Sequence, residues 1–147
     1  RHYQNETEKV LALSFFVPLL IGTGGNVGSQ TVTTLVRAIA LGEVKLRDVR
    51  WVMAKEVTVA MAMGVVMAVV AFGRAAILHV GRDVGYVVAL TVFSICIWSA
   101  LVAAVMPLVL KRARIDPAVV SAPMITTIVD GTGLVIYFTI AKTILGL

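Results

Sequence analysis

The chain has 147 residues, 59% of them hydrophobic and 14% charged, with a mean hydropathy of +0.97. Soluble domains carry roughly 45–50% apolar and about 25% charged residues, so this composition is that of an integral membrane protein. The net charge of +5, from 13 Lys and Arg against 8 Asp and Glu, sits in short loops rather than on an extended basic face, which argues against nucleic acid as a partner.

Residues 1–9 are polar and contain no short apolar core ending at a small-residue cleavage site, so they are not a signal peptide. Four apolar stretches follow, at about 10–40, 51–78, 85–110 and 118–146, each meeting the ~20 residues that cross a bilayer as helix. The expected fold is therefore all-α, a polytopic transmembrane helix bundle with four spans. The first stretch is unusual. Within Gly22–Thr31 it carries four glycines and five polar side chains, between the apolar runs Val10–Ile21 and Val32–Leu41. The spacing predicts a long, bent or interrupted helix there.

The connections are short: Gly42–Arg50, His79–Val84 and Lys111–Pro117. Pro117 suits the first turn of the last helix, with Asp116 as its cap. With four spans, Arg37, Lys45, Arg47, Arg50, Lys55, Lys111, Arg112 and Arg114 share one side. Arg1, Lys9, Arg74, Arg82 and Lys142 share the other. The first, more basic group is expected to be cytoplasmic. Both termini then face outward, which implies that a further span precedes Arg1.

Asp130 is the acidic residue placed near the middle of a span, with no basic residue between Arg114 and Lys142. A carboxylate at the bilayer centre costs roughly 2.5–3.5 kcal/mol on insertion scales, and a cation, a wet cavity or protonation must offset it. Pro123, Thr126, Asp130, Gly133 and Tyr137 recur at helical spacing, as do Thr23, Asn26, Gln30, Thr33 and Arg37. Two polar seams in so apolar a bundle are expected to face each other and line a path past Asp130. The plainer reading of the first seam is interhelical hydrogen bonding, worth about 0.6 kcal/mol per contact.

The glycines admit two supported readings. Gly24 and Gly28 form a small-xxx-small pair for close helix approach, while Gly22, Gly24 and Gly25 could free carbonyl oxygens toward a cavity. A phosphate-cradling loop lacks its lysine and its preceding strand. Cys96 in an apolar run and the methionines, without His or Cys companions, read as packing. His2 and His79 read as solvated, and Lys55 and Glu56 as interfacial anchors. No Ser-His-Asp, paired-carboxylate or His/Cys arrangement is present, so the chain is not expected to be an enzyme.

The wall offers carboxylate, hydroxyl, amide and carbonyl oxygens, a set that favours a hard cation. A single carboxylate suits recognition of a hydrated divalent ion better than a dehydrated cage, and a homodimer would bring two Asp130 to a shared path and match the charge.

Pro18–Gln30, with its run Gly22-Thr-Gly-Gly-Asn-Val-Gly-Ser-Gln30, then Arg37–Gly42, Asp116-Pro-Ala, Pro123 and Asp130-Gly-Thr-Gly-Leu-Val-Ile-Tyr137, resembles the transmembrane domain of the MgtE magnesium channels and transporters. The similarity runs from about Leu11 to the carboxyl end. It implies a homodimer with five spans per subunit and a central pore lined by the first and last spans of this chain. The whole of residues 1–147 would be the transmembrane pore domain, lacking the family's first span and its cytosolic regulatory domains. Asp130 matches the ion-recognising aspartate, with Mg2+ as the transported ion. Gly22, Thr23, Gly25, Asn26, Ser29, Gln30, Thr33, Ala122, Thr126 and Gly133 are the expected pore-lining positions. In a bacterial pattern of this family Asn stands where Ser29 and Ala122 stand here, so a smaller, less polar wall is expected. The expected location is the bacterial inner membrane. A proton- or sodium-coupled transporter of divalent cations and a non-transporting assembly subunit are the alternatives.

Overall fold

A computed structural model describes the backbone of residues 2–146 and the side chains of residues 8–146. His2, expected to be solvated, lies outside the described side chains. The elements in chain order are α1 (His2–Ser14), α2 (Val17–Ala40), α3 (Val49–Ile77), α4 (Arg82–Arg112) and α5 (Ala122–Leu145), with single 3-10 turns at Leu46–Asp48 and Pro117–Val119. No strand occurs among the described residues. Four helical segments are long and apolar enough to cross a membrane: Glu8–Ala40, Leu46–Ile77, Arg82–Arg112 and Ala122–Leu145.

The first segment bends, but not at its glycines. α1 ends at Ser14 and α2 begins at Val17, and the chain turns at Phe15 and Phe16. Pro18 is the cause: it has no N–H to offer the Ser14 carbonyl, and its ring would collide with that carbonyl in a continuous helix. The glycine block instead runs unbroken through α2. A helical glycine costs about 1 kcal/mol against alanine, but in hydrocarbon an unpaired backbone group costs several, so regular helix prevails.

The last helix also starts later than the spacing suggests. Asp116 Oδ1 accepts from Ala118 N at 2.9 Å and caps the 3-10 turn at Pro117–Val119 rather than α5. The cap of α5 is Ser121, whose Oγ accepts from Met124 N at 3.4 Å. Pro123 decides this. A helix beginning at Pro117 would need a hydrogen bond from position 123 to the Val119 carbonyl, which proline cannot donate; in the first turn of a helix its missing N–H costs nothing.

α4 is the axis of the bundle and packs against α2, α3 and α5. Its Val84, Val87, Val88, Val92, Cys96 and Ala103 are at most 1% exposed. Cys96 packs as the sequence suggests, beside Gly64 of α3, where a methyl group would lie 3.4 Å from its Cβ. α3 lies at the edge, held mainly by α4, and Val65, Val66, Val69 and Val70 remain exposed as an apolar outer face. α2 and α5 pack on each other beside α4 and bring the glycine block to Asp130.

Candidate functional site: the α2–α5 face

Asp130 lies eight residues past Ala122, about 12 Å along a helix whose 24 residues span about 36 Å. It faces Gly25 of α2. A methyl group at Gly25 would lie 3.0 Å from Thr126 Cγ2 and 3.7 Å from Asp130 Oδ1, so the glycine brings the α2 backbone up to the carboxylate. One turn away, Ser29 Oγ and Thr126 Oγ1 are 3.1 Å apart in a hydrogen bond between the helices. Thr126 Oγ1 donates to the Ala122 carbonyl at 3.0 Å, which leaves it free to accept from Ser29.

Asp130 Oδ1 is buried and has no hydrogen-bond partner among the described residues. Such an atom carries a penalty of several kcal/mol unless something beyond these residues satisfies it. The crevice behind it is walled by Leu20, Ile95, Val129 and Tyr137 and is too tight to admit a water molecule. No three His, Cys, Asp or Glu side chains converge among the described residues. The arrangement thus offers one carboxylate, two hydroxyls and a close glycine backbone, a set suited to contacting an ion through its water shell.

The remaining expected residues separate into groups. Gly22, Asn26, Thr33 and Arg37 are exposed along one stripe of α2, flanking the Ser29–Thr126 pair. Ala122 and Thr126 are half-buried at the start of α5. Thr23 is buried at 9% exposure. Gln30 lines a different groove, of about 190 Å3, with Thr31, Thr34, Lys55 and Glu56 between α2 and α3. Gly133 and Tyr137, grouped with Asp130 by spacing, turn into the core. Gly133 lies against Ile95, and Tyr137 Oη donates to the Leu13 carbonyl at 2.8 Å. The residues of α2 that meet Thr126 and Asp130 are therefore Gly25 and Ser29, beside the seam of Thr23, Asn26, Gln30, Thr33 and Arg37 that spacing grouped; that seam does not face the α5 seam as expected, because Thr23 turns into the core and Asn26, Gln30, Thr33 and Arg37 stay exposed.

The two readings of the glycines also separate. Gly24 and Gly28 are sites of close approach: added methyl groups would lie 2.6 Å from Ile95 Cγ2 and from Ser99 Oγ, respectively. Ser99, which spacing did not single out, donates from α4 to the Gly24 carbonyl at 2.5 Å and ties the block to the bundle axis. Its signal was a hydroxyl inside the most apolar span of the chain, a feature it shares with Thr91 and Ser94. Glu56, read as an anchor, accepts from Thr31 Oγ1 at 3.4 Å, while Lys55 lies 5.8 Å from the centre of the Trp51 ring.

The family MgtE, described as a divalent cation transporter, matches residues 17–140, which include all of α2, α3 and α4 and most of α5. The chain belongs to the MgtE family. Curated MgtE relatives extend the similarity across nearly the whole chain. The Magnesium transporter MgtE of Thermus thermophilus is 38% identical over 144 residues, covering 97% of this chain and 32% of that protein. The proteins of the same name from Bacillus subtilis and Enterococcus faecalis are 29% and 27% identical, covering 95% and 96% of this chain and 31% of each relative. The chain thus spans about a third of the length of the MgtE relatives it matches.

Proposed function

We propose that this chain is the transmembrane pore domain of a bacterial inner-membrane magnesium transporter, and that hydrated Mg2+ passes along the α2–α5 face between two copies of it. The observation that carries the reading is Asp130, with an unsatisfied carboxylate oxygen inside a span, opposite a glycine. Magnesium dehydrates reluctantly and keeps several waters when few carboxylates are offered. A carboxylate that accepts from those waters, beside the Ser29 and Thr126 hydroxyls, recognises the ion without stripping it.

Charge and exposure support a second copy. One Asp130 offsets half the charge of the ion, and two offset it fully. The exposed stripe of Gly22, Asn26 and Thr33 would be costly against lipid, because polar groups in hydrocarbon must be satisfied by protein or water. A homodimer that turns this stripe inward makes it the wall of a wet path. Ser29 and Ala122, smaller than asparagine, leave that wall wider. The inward driving force is the membrane potential, about 2.3 kcal/mol per elementary charge per 100 mV.

The test is magnesium uptake by vesicles containing the complete protein, under an imposed potential and without proton or sodium gradients. Uptake that follows the potential alone is the expected result. Uptake that appears only with a proton or sodium gradient would replace the channel by a coupled transporter, and no cation uptake under any condition would remove transport altogether.

A further inference from the structure

On the α3–α4 side of the bundle, away from Asp130, a groove of about 270 Å3 opens between the start of α3 and the end of α4. Its floor is apolar, formed by Val49, Met53, Val105, Leu108 and Val109, and Arg112 stands at its mouth. Val105 and Val109 are 43% and 54% exposed, so no other described helix covers the floor.

The charge at the mouth makes this more than ordinary lipid contact. Arg112 is the last residue of α4, at the depth of the lipid headgroups. The loops that meet at this end, residues 42–50 and 111–117, hold Lys45, Arg47, Arg50, Lys111, Arg112 and Arg114 against Glu43, Asp48 and Asp116. Lys111 is occupied, donating to the Val44 carbonyl at 3.1 Å, and Arg47 is 3.8 Å from Asp48. Among the described residues Arg112 has neither an ion pair nor a side-chain hydrogen bond. The groove of about 340 Å3 at the opposite end of the same helix pair differs in this respect, since its Arg82 is followed directly by Asp83 and the loop has no comparable surplus.

We propose that the Arg112 groove binds an anionic phospholipid, with one acyl chain along Val49, Met53, Val105 and Val109 and the headgroup phosphate accepting from the Arg112 guanidinium. Basic pockets between membrane helices on the more basic side select anionic headgroups, and the planar guanidinium fits a phosphate with two parallel hydrogen bonds. A free phosphate ion would have no use for the apolar floor. The lipid would brace the α3–α4 pair at the edge that the described helices leave open.

The experiment is native mass spectrometry of the complete protein released from micelles containing phosphatidylglycerol or phosphatidylcholine of the same chain length. Wild type retains phosphatidylglycerol about fivefold over phosphatidylcholine, the factor that corresponds to one basic group near a membrane surface. Arg112→Gln abolishes the preference, whereas Arg114→Gln, the same charge change outside the groove, preserves it. Val105→Trp fills the groove without altering charge and lowers retention of phosphatidylglycerol to the Arg112→Gln level. If Arg112→Gln does not fold, Val105→Trp decides alone. Equal retention of both lipids by wild type, equal losses in the two arginine variants, undiminished retention in Val105→Trp, or displacement of the lipid by excess inorganic phosphate would each overturn the proposal.

Discussion

Gly25 of α2 and Asp130 of α5 face each other so closely that a methyl group at position 25 would lie 3.7 Å from the carboxylate oxygen Oδ1. That oxygen has no partner among the described residues, and the crevice behind it excludes water. The glycine thus places α2 backbone, with no side chain, directly against the carboxylate.

The close approaches of α2 predict opposite effects for chemically identical substitutions. Gly24→Ala would push a methyl group within 2.6 Å of Ile95 Cγ2 and 2.8 Å of Val129 Cγ1, and Gly28→Ala within 2.6 Å of Ser99 Oγ and 2.8 Å of Ile125 Cγ2. Overpacking of this kind costs typically 1–3 kcal/mol, against about 1 kcal/mol returned by better helix propensity. Each variant should lower the melting temperature in detergent. Gly73→Ala, with nothing within 4 Å, should leave it unchanged or raise it.

The Ser29–Thr126 bond predicts a measurable coupling between α2 and α5. Ser29→Ala and Thr126→Val each remove one side of the 3.1 Å contact. A double-mutant cycle on unfolding should return about 0.6 kcal/mol, the average for such bonds in membrane proteins. A value indistinguishable from zero would mean that the two hydroxyls do not hold the helices together.

Tyr137 predicts how α1 is held. Its hydroxyl donates at 2.8 Å to the carbonyl of Leu13, in the last turn of α1 just before the bend, and the ring is fully buried. Tyr137→Phe leaves that carbonyl with the Phe16 N–H alone, at 3.1 Å, a loss of about 0.5–1.5 kcal/mol. Amide hydrogen exchange of the complete protein should quicken at residues 10–16 and remain unchanged in α4.

Much of this architecture was legible in the sequence, for reasons that particular residues make plain. Four helices follow from apolar runs whose backbone has no alternative partner in lipid. Asp130 is conspicuous because a carboxylate within such a run needs compensation. The bend was legible as a bend but misplaced: polar glycines drew attention from Pro18, whose missing N–H breaks the helix one turn earlier. Likewise Pro117 and Asp116 mimic a helix start, and the second proline, Pro123, moves the start to Ala122. Helical spacing grouped Gly133 and Tyr137 with Asp130 because they share a stripe of α5. Spacing carries no information on where neighbouring helices lie, and α4 and the end of α1 cover the farther part of that stripe. Ser99 and Glu56 escaped for the same reason, since their partners belong to another helix.

Asp130 is the centre of the proposed ion path, and magnesium uptake by vesicles containing the complete protein with Asp130→Asn tests that role most directly. Removing the charge should lower uptake about tenfold or more, equivalent to ~1.4 kcal/mol and well within the interaction of unit charges a few Å apart at an effective dielectric near 20. Asp130→Glu should retain part of the uptake. Magnesium uptake and selectivity unchanged in Asp130→Asn would contradict the account.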